Sequence, residues 1–282
     1  MELGRLILCS LPIGNKDDIT LNVLKSLKEA EYIYAEDTRS FKAVASDYDI
    51  NIAGKKIKSF HDQSLGRELN NIIQIIKNKN DVYYFSEAGS PSISDPALPL
   101  VRAVYEVGGE VFTKPGACSV ISALELSGLP SIPFSFNGFL PREKKKIRDV
   151  LGALSSKVGT HVYFESPRRV ENLIGLLEEI HQTDIFPSEV CFIREMTKVN
   201  QSVIRINKNN FFENKKKITP LGEFVILFNY SKKDSPFVDL VDLKKTCLEV
   251  IEKGGGQKSV SKLISKITGE SSKSIYQKLI SK

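Results

Sequence analysis

Three polar clusters in this chain hold residue types that could move a proton or seat an anion: Glu36-Asp37-Thr38-Arg39, Glu165-Ser166-Pro167-Arg168-Arg169 and Arg194-Glu195-Met196-Thr197-Lys198. Each sets carboxylates beside cations. A carboxylate there can accept a proton, and a neighbouring Arg or Lys can orient a phosphate through charge-assisted hydrogen bonds. Each cluster also has a plainer reading. The first reads equally as a capped helix start, with acids favoured by the helix dipole. The second reads as a strand-to-helix turn with Pro167 opening the helix. The third reads as a solvated hairpin end.

Three turns built of small residues accompany them: Leu11-Pro12-Ile13-Gly14-Asn15, the stretch from Phe85 to Pro96 around Glu87-Ala88-Gly89-Ser90-Pro91, and Lys114-Pro115-Gly116-Ala117-Cys118-Ser119. Each follows a run of strand formers. Small side chains let backbone amides approach a ligand closely, and ligands of open α/β sheets bind at the carboxyl ends of strands. Other chemistries are excluded by pattern. There is no GxxxxGK[ST] phosphate loop, no HExxH, no GxSxG and no GxGxxG opening the first βα unit. The histidines His61, His161 and His181 have no ligand spacing, so no metal site is expected, and His161, inside a strand run, reads as a core or rim residue.

The elements that must position these residues alternate. Strands are predicted at 5–9, 32–35, 56–60, 82–85 and 110–113, with helices at 21–27, 65–76 and 96–107. Leu21, Leu24 and Leu27 share a helix face behind a Thr20 cap. This rhythm predicts a mainly parallel sheet covered on both faces, over residues 1–115. Over 116–230 the pattern changes: helices at 117–126, 142–154 and 168–180 separate strands at 134–139 and 161–164. Three strands at 189–194, 202–206 and 223–228 then follow without long helices between them. A second α/β domain with a mixed sheet is expected.

A polar linker at 231–236 leads to a small basic helical module over 238–282. Helical patterns are read at 240–253, 259–267 and 274–280. Val260, Leu263, Ile264 and Ile267 form an apolar face, and Lys258, Lys262 and Lys266 a cationic ridge. The whole chain of 282 residues has a formal net charge of +6. Residues 257–282 hold six lysines and one glutamate, so the basic character is an end effect. Such a helix reads phosphate charge rather than base identity. The stretch with Lys144, Lys145, Lys146 and Arg148 reads by default as a solvated helix face, and becomes a second RNA contact only under the family resemblance that the motifs carry. The 4 cysteines are far apart and read as reduced core thiols. No signal peptide or membrane span is evident, which predicts a cytoplasmic protein.

Taken together the motifs resemble the rRNA small subunit methyltransferase I family of the tetrapyrrole methylase superfamily. The resemblance is carried by Leu11–Asn15, Asp18-Ile19-Thr20, Ala35–Arg39, Ser86–Pro96, Gly128-Leu129-Pro130, Gly138-Phe139-Leu140-Pro141, Phe164–Arg169, Arg194–Lys198 and Gly222-Glu223, in matching order. It implies two α/β domains of tetrapyrrole methylase type with S-adenosylmethionine bound between them. It also implies 2′-O-methylation of a decoding-centre cytidine in 16S rRNA or the small ribosomal subunit, and a homodimer. By the same likeness the donor would meet Leu11, Pro12, Gly14, Gly89, Ser90, Ile93, Ser119 and Val120, with Phe164, Glu165 and Met196 on the far wall. Glu36 and Asp37 would accept or polarise the hydroxyl proton, and Arg39 and Lys198 would orient the ribose phosphate. The chain departs from the family pattern at Ser40 and Arg168, where histidines are common, and at Glu87, Ser90, Leu11 and Ala117. The two absent histidines argue against a histidine-dependent mechanism. The rival readings are a methylase of a small or protein-bound acceptor, against which the Glu-Asp-Thr-Arg turn and basic tail argue, and a non-catalytic RNA-binding protein.

Overall fold

The computed structural model describes residues 3–61, 65–231, 250, 254, 256–268 and 271–280. Two compact units are distinguished, Met1–Ser231 and Lys232–Lys282.

The larger unit holds two five-stranded sheets. The first has the order β3-β2-β4-β1-β5 and is parallel throughout. Its strands are β1 (Arg5–Cys9), β2 (Tyr32–Ala35), β3 (Lys56–Ser59), β4 (Val82–Phe85) and β5 (Glu110–Lys114). Helices α1 (Leu21–Glu29), α2 (Thr38–Asp47), α3 (Leu65–Lys77) and α4 (Ala97–Glu106) connect them. The central strands are short apolar runs because both faces are covered. Ile7, Cys9, Ile33 and Phe85 join one core layer, and Leu6, Tyr34, Val82 and Tyr84 the other. Thr20 caps α1 by accepting from the Val23 amide, and Pro96 sits at the N-cap of α4.

The second sheet runs β6-β7-β10-β8-β9, where β6 pairs with β7 in parallel and the rest are antiparallel. It comprises β6 (Phe134–Phe139), β7 (Gly159–Glu165), β8 (Glu189–Arg194), β9 (Ser202–Ile206) and β10 (Phe224–Tyr230). With it come α5 (Ser119–Ser127), α6 (Lys144–Leu154), α7 (Pro167–Ile180) and the one-turn α8 (Phe211–Asn214). One face packs on α6 and α7; the other carries Val162, Cys191, Ile193, Val225 and Leu227, against which Ile13 and Ile93 of the first half also pack. The mixed sheet agrees with the sequence reading.

The segment Glu36–Arg39, read as a polar turn or a capped helix start, opens the ten-residue helix α2 (Thr38–Asp47), which the sequence pattern does not predict. Asp37 is its N-cap, accepting from the Arg39 amide at 2.7 Å, and Phe41 and Ala45 bury one side. Its apolar face is narrow, so its helical period is weak in the sequence. His161 is buried with Nδ1 2.8 Å from Ser135 Oγ, a core position. Cys9 and Cys191 are free and buried, and burial pushes both thiols up to about 12. Cys118 is free and half-buried; Cys247 lies outside the described residues.

In the smaller unit, α9 (Gln257–Thr268) and α10 (Ser272–Ile280) pack on each other through Val260, Ile264 and Ile275. Leu263, expected on the apolar face, is 61 % exposed, because the buried row is the i, i+4 pair rather than a broad stripe. The helix expected at 240–253 lies outside the described residues apart from Val250. Among the described residues, no helix is long and apolar enough to cross a membrane, and no group of His, Cys, Asp and Glu is arranged to hold a metal.

Candidate functional site

Strand order brings the three small-residue turns together. They follow β1, β4 and β5, and the sheet sets these three strands side by side. The Leu11 amide donates to Gly89 O at 3.0 Å and the Gly89 amide to Leu11 O at 2.9 Å, so two turns pair like a short ladder. Gly89 has φ +71°, a conformation that favours glycine. Ser86 Oγ donates to Gly89 O, and Ser90 Oγ to Ala117 O at 3.2 Å, which ties the second turn to the third.

Across from these turns stand Phe139, Phe164 to Pro167, Met196, Lys198 and Glu223 to Val225, from the strands of the second sheet and the turns that adjoin them. Between the two walls is a cleft of about 780 Å³, within the size range of small-molecule sites. Gly14 closes its end. A Cβ on Gly14 would lie 2.6 Å from Lys198 Cγ and from Thr197 Oγ1, and the Asn15 amide donates to that Thr197 hydroxyl at 2.9 Å. Backbone strain gathers at the same place. Of six described non-glycine residues with positive φ, Ser92, Ser94, Glu195 and Thr197 sit in the two turns that bound the cleft. Such residues cost about 1–3 kcal/mol each and persist where surrounding bonds hold them. Here Asp95 Oδ1 accepts from the Ser92 and Ala97 amides, and Gln201 Oε1 from the Thr197 amide.

The cleft is acidic. Its walls carry Glu36, Asp47, Glu87, Asp95, Glu165 and Glu223 against Lys16 and Lys198. Lys198 is occupied: its ammonium reaches Glu223 Oε2 at 2.7 Å and Glu195 Oε1 at 3.2 Å. Burial works against its charge, but those two carboxylates outweigh it and raise the pKa. Glu165 has a wholly buried side chain. Its Oε1 accepts from the Ser166 amide and pairs with Arg169 at 2.6 Å, whereas Oε2 has no hydrogen-bond partner. Burial pushes its pKa up despite those bonds. Asp37 contrasts with it. The hydrogen bond from Arg39 holds this exposed carboxyl down to about 2.

Of the expected residues, Pro12, Gly14, Glu36, Gly89, Ser90, Ile93, Ser119, Phe164, Glu165, Met196 and Lys198 line this one cleft. Leu11 and Val120 are buried beneath it. Asp37 and Arg39 pair at 2.8 Å outside the lining, with the Arg39 side chain 91 % exposed. On α6, Lys144 pairs with Glu179 and Lys146 with Glu143, while Lys145 and Arg148 are exposed. Lys258 and Lys262 are exposed on α9; the Lys266 side chain lies outside the described residues. Sequence reasoning did not single out Lys16, Phe139 or Asp95 as site residues, nor the bond at 3.1 Å from Ser40 Oγ to Glu87 Oε1 that joins two departures from the family pattern. Phe139, Glu87 and Asp95 lie within motifs that carry the resemblance and Ser40 directly follows one, but a motif does not tell which of its side chains face inward.

A second cleft, about 830 Å³, lies at the amino ends of the first sheet, lined by residues such as Arg5, Glu29, Asp81 and Glu110. Its central charges, Arg5 and Asp81, satisfy each other, and ligands of open sheets bind at the opposite end.

Residues 5–208 match the family described as tetrapyrrole (corrin/porphyrin) methylases. The ribosomal RNA small subunit methyltransferase I of Thermotoga maritima is 37% identical over 227 residues, covering 80% of this chain and 99% of that one. The protein of the same name from Bacillus subtilis is 34% identical, covering 72% and 68%. Among solved structures, a diphthine synthase superposes with a TM-score of 0.59 at 18% identity, covering 80% of this chain and 89% of that one. The methyltransferase CobJ superposes with a TM-score of 0.56 at 17% identity, covering 80% and 94%. These two share the fold.

Proposed function

Because the chain belongs to the rRNA small subunit methyltransferase I family of the tetrapyrrole methylases, we propose that it transfers a methyl group from S-adenosylmethionine to a ribose 2′-hydroxyl of a decoding-centre cytidine in 16S rRNA. The observation that carries this reading is the convergence of three turns after β1, β4 and β5 on a cleft whose other wall holds Phe164, Glu165 and Met196. The residues present fit the donor. Gly14 and Gly89 line the cleft without side chains to fill it, the acidic walls suit a cation, and the partnerless Glu165 Oε2 suits a hydroxyl or ammonium donor. When bound, S-adenosylmethionine supplies a methyl group already activated by a sulfonium charge.

Pro12, Gly14, Gly89, Ser90, Ile93, Ser119, Phe164, Glu165 and Met196 hold the donor, Leu11 and Val120 supporting them from below. Such positioning can contribute on the order of 7–11 kcal/mol to a transfer of this kind. Glu36 accepts the hydroxyl proton, being on the cleft wall, and Asp37 fixes the start of α2 beside it. Arg39 is the cation more available to a ribose phosphate, since Lys198 already bridges two carboxylates and braces the wall. Lys145 and Arg148, with Lys144 and Lys146 beside them, and the ridge of Lys258, Lys262 and Lys266 grip RNA backbone. A cytoplasmic homodimer is part of the proposal; exposed Leu98, Tyr105 and Phe112 on α4 and β5 favour self-association, and light scattering of the purified protein measures it.

Calorimetric titration with S-adenosylmethionine, followed by tritium transfer to small ribosomal subunits and mapping of the labelled nucleotide, tests the reading. Binding and a label on a cytidine ribose are expected. Absence of donor binding would leave a non-catalytic RNA-binding protein, and a label in a small molecule or a protein would move the acceptor class.

Glu165→Gln is expected to weaken donor binding by roughly 10- to 150-fold, the worth of a hydrogen bond to a charged group. Calorimetry reads it directly, and an unchanged Kd would take Glu165 out of the donor site. Removing residues 232–282 is expected to weaken RNA binding and to flatten its salt dependence. If Lys258 and Lys262 each neutralise one phosphate, the log–log slope changes by about 1.4–1.8. Donor affinity should not move. Equal RNA affinity with and without the segment would make it a solubilising cap.

A further inference from the structure

β6 pairs with β7 in register from Phe134↔Thr160 to Phe136↔Val162, then resumes at Phe139↔Phe164. Three steps along β6 match two along β7, so β6 carries one extra residue at Asn137-Gly138. Gly138 has φ +67°, and a Cβ there would meet nothing within 4 Å, so the glycine serves the backbone turn and not a close contact. Side chains alternate along a strand. Without the insertion Phe139 would face away from Phe136; with it, Phe139 returns to the face of Phe136 and Phe164. Bulges beside active sites re-aim side chains in this way.

The three rings make one cluster. Phe136 and Phe164 have centroids 4.8 Å apart, and Phe139 meets Phe164 edge-to-face at 5.6 Å. Their burial differs. Phe136 and Phe164 are half-buried against the core, Phe164 also lining the cleft, whereas Phe139 lines the cleft and stays 56 % exposed. The fold thus delivers an aromatic ring to the cleft wall, fixes its plane against Phe164, and leaves more than half of it open.

We propose that Phe139 is the platform on which the nucleobase of the target nucleotide stacks while its ribose is in the cleft. This rests on the reading of the cleft as an RNA methyltransferase site. A cleft of about 780 Å³ admits a nucleotide but not a helix, so a nucleotide whose ribose enters it is drawn out of its strand and its base loses its stacking neighbours. An aromatic side chain restores stacking, worth about 5- to 150-fold in affinity per base, and does so for any base. Phe139 therefore grips the extruded nucleotide without identifying it.

The test compares Phe139→Ala, Phe139→Leu and Phe139→Trp in the full chain. Donor Kd is measured by calorimetry, and kcat/KM by transfer to small subunits and to an rRNA fragment carrying cytidine or uridine at the target. Ala and Leu are expected to lower kcat/KM for RNA by about 5- to 150-fold, equally for both bases. Trp should stay near the wild-type value, and donor Kd should hold in all three. Phe139→Leu equal to wild type would remove the stacking role and leave the methyltransferase reading standing. A donor Kd that rises in parallel would assign the ring to the donor's adenine instead. A wild-type chain that binds no donor and labels no RNA would overturn both.

Discussion

Gly14→Ala is expected to weaken S-adenosylmethionine binding by about 5- to 150-fold, the equivalent of the 1–3 kcal/mol that overpacking costs. The new methyl would sit 2.6 Å from two side-chain atoms and 2.8 Å from Met196 O. Lys198 cannot simply swing away, because its ammonium bridges Glu195 and Glu223. The turn cannot relax readily either, since Glu195 and Thr197 already hold positive φ. The wall bearing Met196 must therefore move away from the wall bearing Gly89, and the donor site widens. Gly66→Ala is the control: it lies in α3, and its Cβ would meet nothing within 4 Å. That variant should bind donor normally. Calorimetry on the two variants decides the matter, and equal affinities would mean that the Gly14 contact does not shape the donor site.

Glu36→Gln should lower turnover by about 10²- to 10⁴-fold, the usual contribution of a general base, with donor affinity preserved. Asp37→Asn should stay close to the wild-type rate. The two neighbours differ in what surrounds them. Glu36 lines the cleft, as do Ser40 and Glu87. Asp37 lies outside the cleft lining, caps α2 and is bound to Arg39, whose hydrogen bond holds it down to about 2. A carboxylate held that low is a poor proton acceptor at neutral pH. Asparagine caps a helix as well as aspartate does, so the exchange leaves the local backbone in place. Single-turnover transfer at saturating donor and RNA, followed across pH, separates the two. A collapse in Asp37→Asn with a normal Glu36→Gln would reverse the assignment.

Much of the frame was legible beforehand because its signals are local. Five apolar runs alternating with amphipathic helices predicted the parallel sheet, and the run of strands after 189 predicted the mixed one. The small-residue turns were visible for the same reason: Gly89 and Gly116 mark places where backbone comes close to backbone. Local signals also misled. Residues 38–47 have only Phe41 and Ala45 buried, so α2 hid behind its own polar start. Leu263 counted towards an apolar face that the packing of α9 on α10 does not use.

By itself the amino-acid sequence determined the element types, the order of the motifs and the family to which they belong. These depend on propensity, period and residue identity, which are properties of neighbouring positions. Only the tertiary structure decided what the motifs do to one another. The order β3-β2-β4-β1-β5 puts three distant turns on one edge. A residue 25 positions away joins Glu195 on Lys198 and takes its charge out of the open. One extra residue in β6 turns Phe139 inward. Strand pairing, ion pairing and register are contacts between residues far apart in the chain, so their outcome appears only once the sheets have formed.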